Sequence, residues 1–116
     1  VKILIVEDSQ YAAQLIVQIT NIVIPNATII HVLTSEEAIP KIEWAEFIIT
    51  DFCFPADGFL GILPTIKKAN CKFILQTAEP NNIKIYDPTL QVAAIQKGVD
   101  FVPKIMSTLR DITVPS

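Results

Sequence analysis

Residues 1–9 read VKILIVEDS, and the order of residue types within them decides the fold. Lys2-Ile3-Leu4-Ile5-Val6 is an unbroken aliphatic run, the pattern of a strand buried on both faces. It stops at Glu7-Asp8, as such a strand ends at the rim of its sheet. Ser9 then has the character of a helix cap. Ala12, Leu15, Ile16, Ile19, Ile22 and Val23 recur at three- and four-residue spacing, so a helix is expected to about Val23, stopping before Pro25.

Strand and helix signals alternate along the rest of the chain. A second strand is expected at 27–32, then a short helix behind the capping-box pair Thr34 and Glu37, curtailed by Pro40. Phe47-Ile48-Ile49-Thr50 forms a third strand that ends at Asp51. A turn through Pro55 and Asp57-Gly58 leads to a helix at 59–69, which Pro64 disturbs. Residues 72–76 give a fourth strand ending at Thr77. Asp87-Pro88 predicts a capped fourth helix closing at Gly98, Phe101-Val102-Pro103 a fifth strand ending at Lys104, and 106–112 a short last helix. Five alternations imply an α/β fold with a doubly wound five-stranded parallel sheet.

Composition narrows the function. The chain has 116 residues, 51% hydrophobic and 18% charged, which suits one domain. Its three glycines stand apart, which excludes a Walker phosphate loop and a dinucleotide fingerprint, both of which need clustered glycines. Nine bases against twelve acids give a net charge of −3, and the pI near 5.0 argues against nucleic-acid binding. The longest apolar stretch, 15–24, is interrupted by polar residues and too short for a membrane span. Cys53, Cys71 and the lone His31 fit no zinc spacing, and the two cysteines read as packed, reduced thiols of a cytoplasmic protein. His31 reads as a surface or sheet-edge residue. The chain begins at Val1, as a trimmed product or an excised fragment would.

In a doubly wound sheet the functional crevice lies at the carboxyl ends of the strands. There the expected strand ends deliver Glu7, Asp8, Asp51, Thr77 and Lys104. Three carboxylates at one rim repel one another unless a cation sits between them. Mg2+ suits such a site, since it takes a few carboxylate oxygens, keeps several waters and accepts a phosphate oxygen.

KILIVEDS at 2–9, IITDFCFPADG at 48–58, LQTAEP at 75–80 and GVDFVPK at 98–104 resemble the receiver domain of two-component response regulators, over the whole of 1–116. The resemblance implies a flavodoxin-like strand order 2-1-3-4-5. It also implies Asp51 as phosphoacceptor, Glu7 and Asp8 as metal-binding acids with the backbone carbonyl of Cys53, Thr77 and Lys104 as phosphoryl contacts, and Thr77 with Phe101 as switch residues. The implied partners are a sensor histidine kinase or histidine phosphotransfer protein, and a downstream target or fused output domain, with neither nucleic acid nor membrane bound by this domain. The implied chemistry is Mg2+-dependent self-phosphorylation with slow loss of the phosphoryl group, and not an enzyme's turnover. Four features depart from the family pattern: Ile105 follows Lys104 where a proline is usual, the turn after Asp51 reaches Asp57-Gly58 one residue sooner than is common, Phe54 stands where methionine is common, and 79–86 is longer than usual.

Other functions fit less well. An aspartyl phosphohydrolase needs a second acid two residues after its nucleophile, where this chain has Cys53. A flavin carrier needs a hydroxyl-rich loop after strand one, and Glu7-Asp8 would repel its phosphate. The remaining alternative is a pseudo-receiver that acts only as a protein-interaction module.

Overall fold

The computed structural model describes residues 1–113, so residues 114–116 of the expected 1–116 domain lie outside the described residues. β1 (Lys2–Val6) is followed by α1 (Gln10–Val23), β2 (Thr28–Val32), α2 (Ser35–Ile42), β3 (Phe47–Asp51), α3 (Gly58–Ala69), β4 (Lys72–Thr77), β5 (Gln91–Gln96) and α4 (Phe101–Thr113). The five strands form one sheet in the order β2-β1-β3-β4-β5, and every neighbouring pair is parallel. The expected architecture and strand order are therefore observed.

Local chemistry sets most of the boundaries. Ser9 caps α1, its Oγ accepting from the Ala12 N–H at 3.3 Å. Thr34 caps α2, accepting from the Glu37 N–H at 3.1 Å. α3 ends where Asn70 adopts a left-handed conformation, φ 55°. α2 stops two residues beyond Pro40, whereas α3 runs through Pro64 to Ala69. Gly58, which opens α3, sits at φ +65°, and a Cβ there would lie 3.0 Å from the Phe52 carbonyl oxygen. The return from β3 into α3 therefore requires glycine.

Alternation along the strands divides the core in two. Leu4, Val6, Ile48, Phe73 and Leu75 face α2 and α3, meeting Ala38, Ile42, Phe59, Ile62 and Ile66. Ile3, Ile5, Phe47, Ile49, Ile74 and Ile95 face α1 and α4, meeting Ile16, Ile19, Phe101, Ile105 and Leu109. Each fully buried aliphatic side chain contributes about 1.5–3 kcal/mol. The same alternation continues one step past these aliphatics on the α1/α4 face, where it reaches Glu7, Asp51, Gln76 and Lys97.

The C-terminal third departs from expectation. No α-helix spans 87–98. The segment between β4 and β5 has only a 3₁₀ turn, Pro80–Asn82, and Gln91–Gln96 is the fifth strand. Asp87 does cap, but it caps a single turn: its Oδ1 accepts from the Thr89 N–H at 3.0 Å and the Thr89 hydroxyl at 2.6 Å. These bonds hold its carboxyl below the usual carboxylate range. The chain then enters the sheet, because a short alanine-bearing run such as QVAAIQ suits helix or strand alike and pairing with β4 decides. The turn is pinned by Gln91, whose Oε1 accepts from the Tyr86 N–H at 2.6 Å and whose Nε2 donates to the Lys84 carbonyl at 2.7 Å.

Phe101-Val102-Pro103, expected as the fifth strand, is the first turn of α4. Proline is tolerated there because first-turn N–H groups have no partner within the helix. Nor is the last helix short, since α4 has 13 residues. Among the described residues no helix is long and apolar enough to cross a membrane.

Candidate functional site

β1 and β3 lie side by side, with Glu7 directly after β1 and Asp51 the last residue of β3. Glu7, Asp8 and Asp51 each offer a carboxylate oxygen, and these atoms all lie within 4.8 Å of one another. Glu7 is buried at 1% exposure, Asp51 at 8%, and Asp8 is exposed. The acid pair expected at the rim thus reaches the acid at the end of the third strand.

The cation among them is Lys97, directly after β5, a residue that sequence reasoning passed over. Its Nζ donates to Glu7 Oε2 at 2.7 Å and to Asp51 Oδ2 at 3.3 Å. Lys104, assigned to this place on the assumption of a strand at 101–103, is instead an exposed residue of α4 whose N–H bonds the Asp100 carbonyl. Gly98, expected as a helix stop, instead follows the strand that ends at Gln96.

The remaining bonds fix the carboxylates. Glu7 Oε1 accepts from the Ser9 N–H at 3.1 Å, and Oε2 also accepts from Gln76 Nε2 at 3.4 Å. Asp51 Oδ1 accepts from the Phe52 N–H at 2.8 Å. His31, at the sheet edge on β2, donates from Nε2 to the Glu7 carbonyl at 2.7 Å, which orients the peptide between the two acids. Burial pushes the Glu7 carboxyl above its ordinary pKa, and the charge of Asp51 adds to this. The Lys97 and Ser9 bonds offset part of it. Burial alone would lower Lys97, yet its bonds to Glu7 and its proximity to Asp51 outweigh that and raise it.

Thr77 ends β4 at 2% exposure, where its hydroxyl accepts from the Glu79 N–H at 3.1 Å and its carbonyl accepts from the Lys97 N–H at 2.8 Å. Cys53 lies two residues past Asp51 and is exposed, while Cys71 is buried away from the rim. Both thiols are free. Burial raises the Cys71 thiol to about 11.

Phe101 is the first residue of α4 and is buried. It is packed into the core under α4 with Ile95, Ile105 and Leu109. Counted from Lys97, the position three residues earlier on the strand is Ala94. The residue three positions before the rim lysine is thus not aromatic.

The donor set consists of hard oxygens, with Lys97 cancelling part of their charge, and fits a hard divalent cation such as Mg2+. Glu7, Asp8 and Asp51 are the residues that would hold it.

No protein-family model matches the chain, and no curated protein matches it. Solved structures do. The response regulatory domain of mrkE from Klebsiella pneumoniae superposes with a TM-score of 0.84 at 17% identity, covering 97% of this chain and 95% of that one. A response regulator receiver domain from Rhodospirillum rubrum gives 0.82 at 19% identity, over 100% and 96%. The response regulator domain of Thermotoga maritima CheB gives 0.76 at 20% identity, over 100% and 98%. In strand order, layering and nearly full-length superposition, this chain has the fold of the response regulator receiver domains.

Proposed function

We propose that the protein is a phosphoacceptor receiver of a two-component phosphorelay, with Asp51 as the acceptor. The observation that carries this reading is the clustering of Glu7, Asp8 and Asp51 within 4.8 Å, with Lys97 bonded to Asp51 at 3.3 Å. A carboxylate oxygen of Asp51 forms a P–O bond to the phosphoryl group of a phosphohistidine as the P–N bond breaks. The electron pair leaves on the imidazole nitrogen, which takes up a proton.

Glu7, Asp8 and Asp51, with the backbone carbonyl of Cys53 that the receiver resemblance adds, would hold Mg2+, which would supply charge neutralisation for the incoming phosphoryl oxygens. Lys97 takes the role first assigned to Lys104 and gives a point charge to one phosphoryl oxygen. Thr77 turns its hydroxyl from the Glu79 N–H to another. The Phe52 N–H keeps the Asp51 side chain aimed at the rim.

The donor is a sensor histidine kinase or a histidine phosphotransfer protein, and the recipient of the signal is a downstream protein or a fused output domain. Among the structural neighbours, one is the N-terminal domain of a response regulator/sensory box/GGDEF protein. Free thiols at Cys53 and Cys71 suit a reducing, cytoplasmic setting. Self-phosphorylation and slow loss of the acyl phosphate are expected, without the turnover of an enzyme.

Incubation with Mg2+ and acetyl phosphate should add one phosphoryl mass, and Asp51→Asn should abolish the gain. Failure of the wild type to gain mass under these conditions would overturn the reading in favour of an interaction module.

A further inference from the structure

Gln76 is fully buried, one residue before Thr77 on β4, and stands in register with Asp51 on β3 and Ile95 on β5. An apolar residue would fill this position without desolvating an amide. Its Nε2 donates to Glu7 Oε2 at 3.4 Å, beyond the usual 2.7–3.2 Å range for N–H···O bonds, and its Oε1 is a buried acceptor with no partner. The oxygen it reaches is the one Lys97 holds at 2.7 Å. Glu7 Oε2 therefore has a tight charged donor and a slack neutral one, while Lys97 divides its charge between Glu7 and Asp51.

Resting on the phosphoacceptor reading, we propose that Gln76 is a positioning residue, which holds Glu7 Oε2 when Lys97 moves from the two carboxylates to a phosphoryl oxygen on Asp51. Lys97 carries a compact charge, and new negative charge on Asp51 draws it away from Glu7. Glu7, 1% exposed, cannot replace that donor with bulk water, and Mg2+ shared with Asp8 and Asp51 would satisfy only some of the lone pairs of its carboxylate. The amide of Gln76 is already beside it, at a separation that shortening to the ordinary range would turn into a full hydrogen bond. Without that amide, Glu7 keeps Lys97, and the phosphoryl group meets a weaker counter-charge. Gln76 thus lowers the penalty for releasing Lys97 and does not itself touch the phosphoryl group.

The test uses beryllofluoride with Mg2+ as a non-transferable phosphoryl mimic, titrated into wild type, Gln76→Leu and the length-matched Gln76→Met, together with the melting temperature of each protein without ligand. The expected result is that both variants melt at or above the wild-type temperature, because an orphaned buried amide has been removed, yet bind the mimic about tenfold more weakly. A merely structural role moves the two readouts the other way, lowering the melting temperature and leaving affinity unchanged. Wild-type binding with equal affinity in the variants overturns the role of Gln76 alone. No binding by the wild type overturns the phosphoacceptor reading and this role with it.

Discussion

Lys97 Nζ lies 2.7 Å from Glu7 Oε2, joining the last strand of the sheet to the first. Along the order β1-β3-β4-β5 this bridge crosses three strand spacings, roughly 14 Å at about 4.8 Å each, so both side chains must reach toward each other over the rim. Asp51 lies beneath the span at 3.3 Å from the same ammonium. Asp51 is thus placed under a cation that is already tethered to another buried acid.

This arrangement separates the two candidate lysines. Lys97→Met should reduce Mg2+-dependent phosphoryl uptake at least tenfold, because the counter-charge on the phosphoryl oxygens is lost. It should also destabilise the fold by about 2–4 kcal/mol, since Glu7 remains buried without its ammonium. Lys104→Met should alter neither, as the residue is exposed on α4. Labelling by intact mass and urea denaturation of the two variants measure both effects. Equal labelling loss in Lys104→Met would contradict the assignment.

Magnesium should stabilise the protein through the three acids. At a concentration about a hundred times its Kd, a ligand bound only by the native state adds about 2.7 kcal/mol, so the melting temperature should rise by at least several degrees. Asp8→Ala should remove that rise while leaving metal-free stability within about 0.5 kcal/mol, because Asp8 is exposed. Thermal scans with magnesium and with potassium chloride at matched ionic strength distinguish site binding from general screening.

Phe101 should behave as core and not as a switch. Phe101→Ala should cost about 3–5 kcal/mol by leaving a cavity beside Ile105 and Leu109. Phe101→Leu, which keeps most of the volume, should retain the amplitude of any phosphorylation-dependent change in the spectrum. A loss of that change in Phe101→Leu without loss of stability would restore a switching role.

Cys71 should make the fold sensitive to alkali. Its folded pKa of about 11 lies above the ordinary 9.0. Between those values the native state binds more protons than the unfolded state, so stability falls as pH rises through the window and is unaffected below it. The effect reaches about 2–3 kcal/mol by pH 11. Cys71→Ala should flatten that part of the stability profile in denaturant titrations at pH 8, 9, 10 and 11, where a slope equal to that of the wild type would exclude the thiol as its source.

The sequence alone determined the first four strands and the acid cluster, since each of those features is carried by local pattern. Ile3 to Val6 and Phe47 to Thr50 are aliphatic runs too long and too pure for exposed loops, and each ends in the acids the rim requires. The caps at Ser9 and Thr34 are likewise legible from a few adjacent residues. Only the tertiary structure decided the C-terminal third. Gln91–Gln96 has no strong period of its own, and it becomes a strand because β4 offers an open edge and Ile95 finds the core between α1 and α4. That pairing places Lys97, and not Lys104, over Asp51. Gln76 was equally invisible, because a polar residue near a strand end reads as ordinary until the register sets it, fully buried, against Glu7. Local propensity fixes an element when its pattern is long and pure. Where the pattern is short and mixed, long-range pairing and burial choose the element, and with it the residues that reach the site.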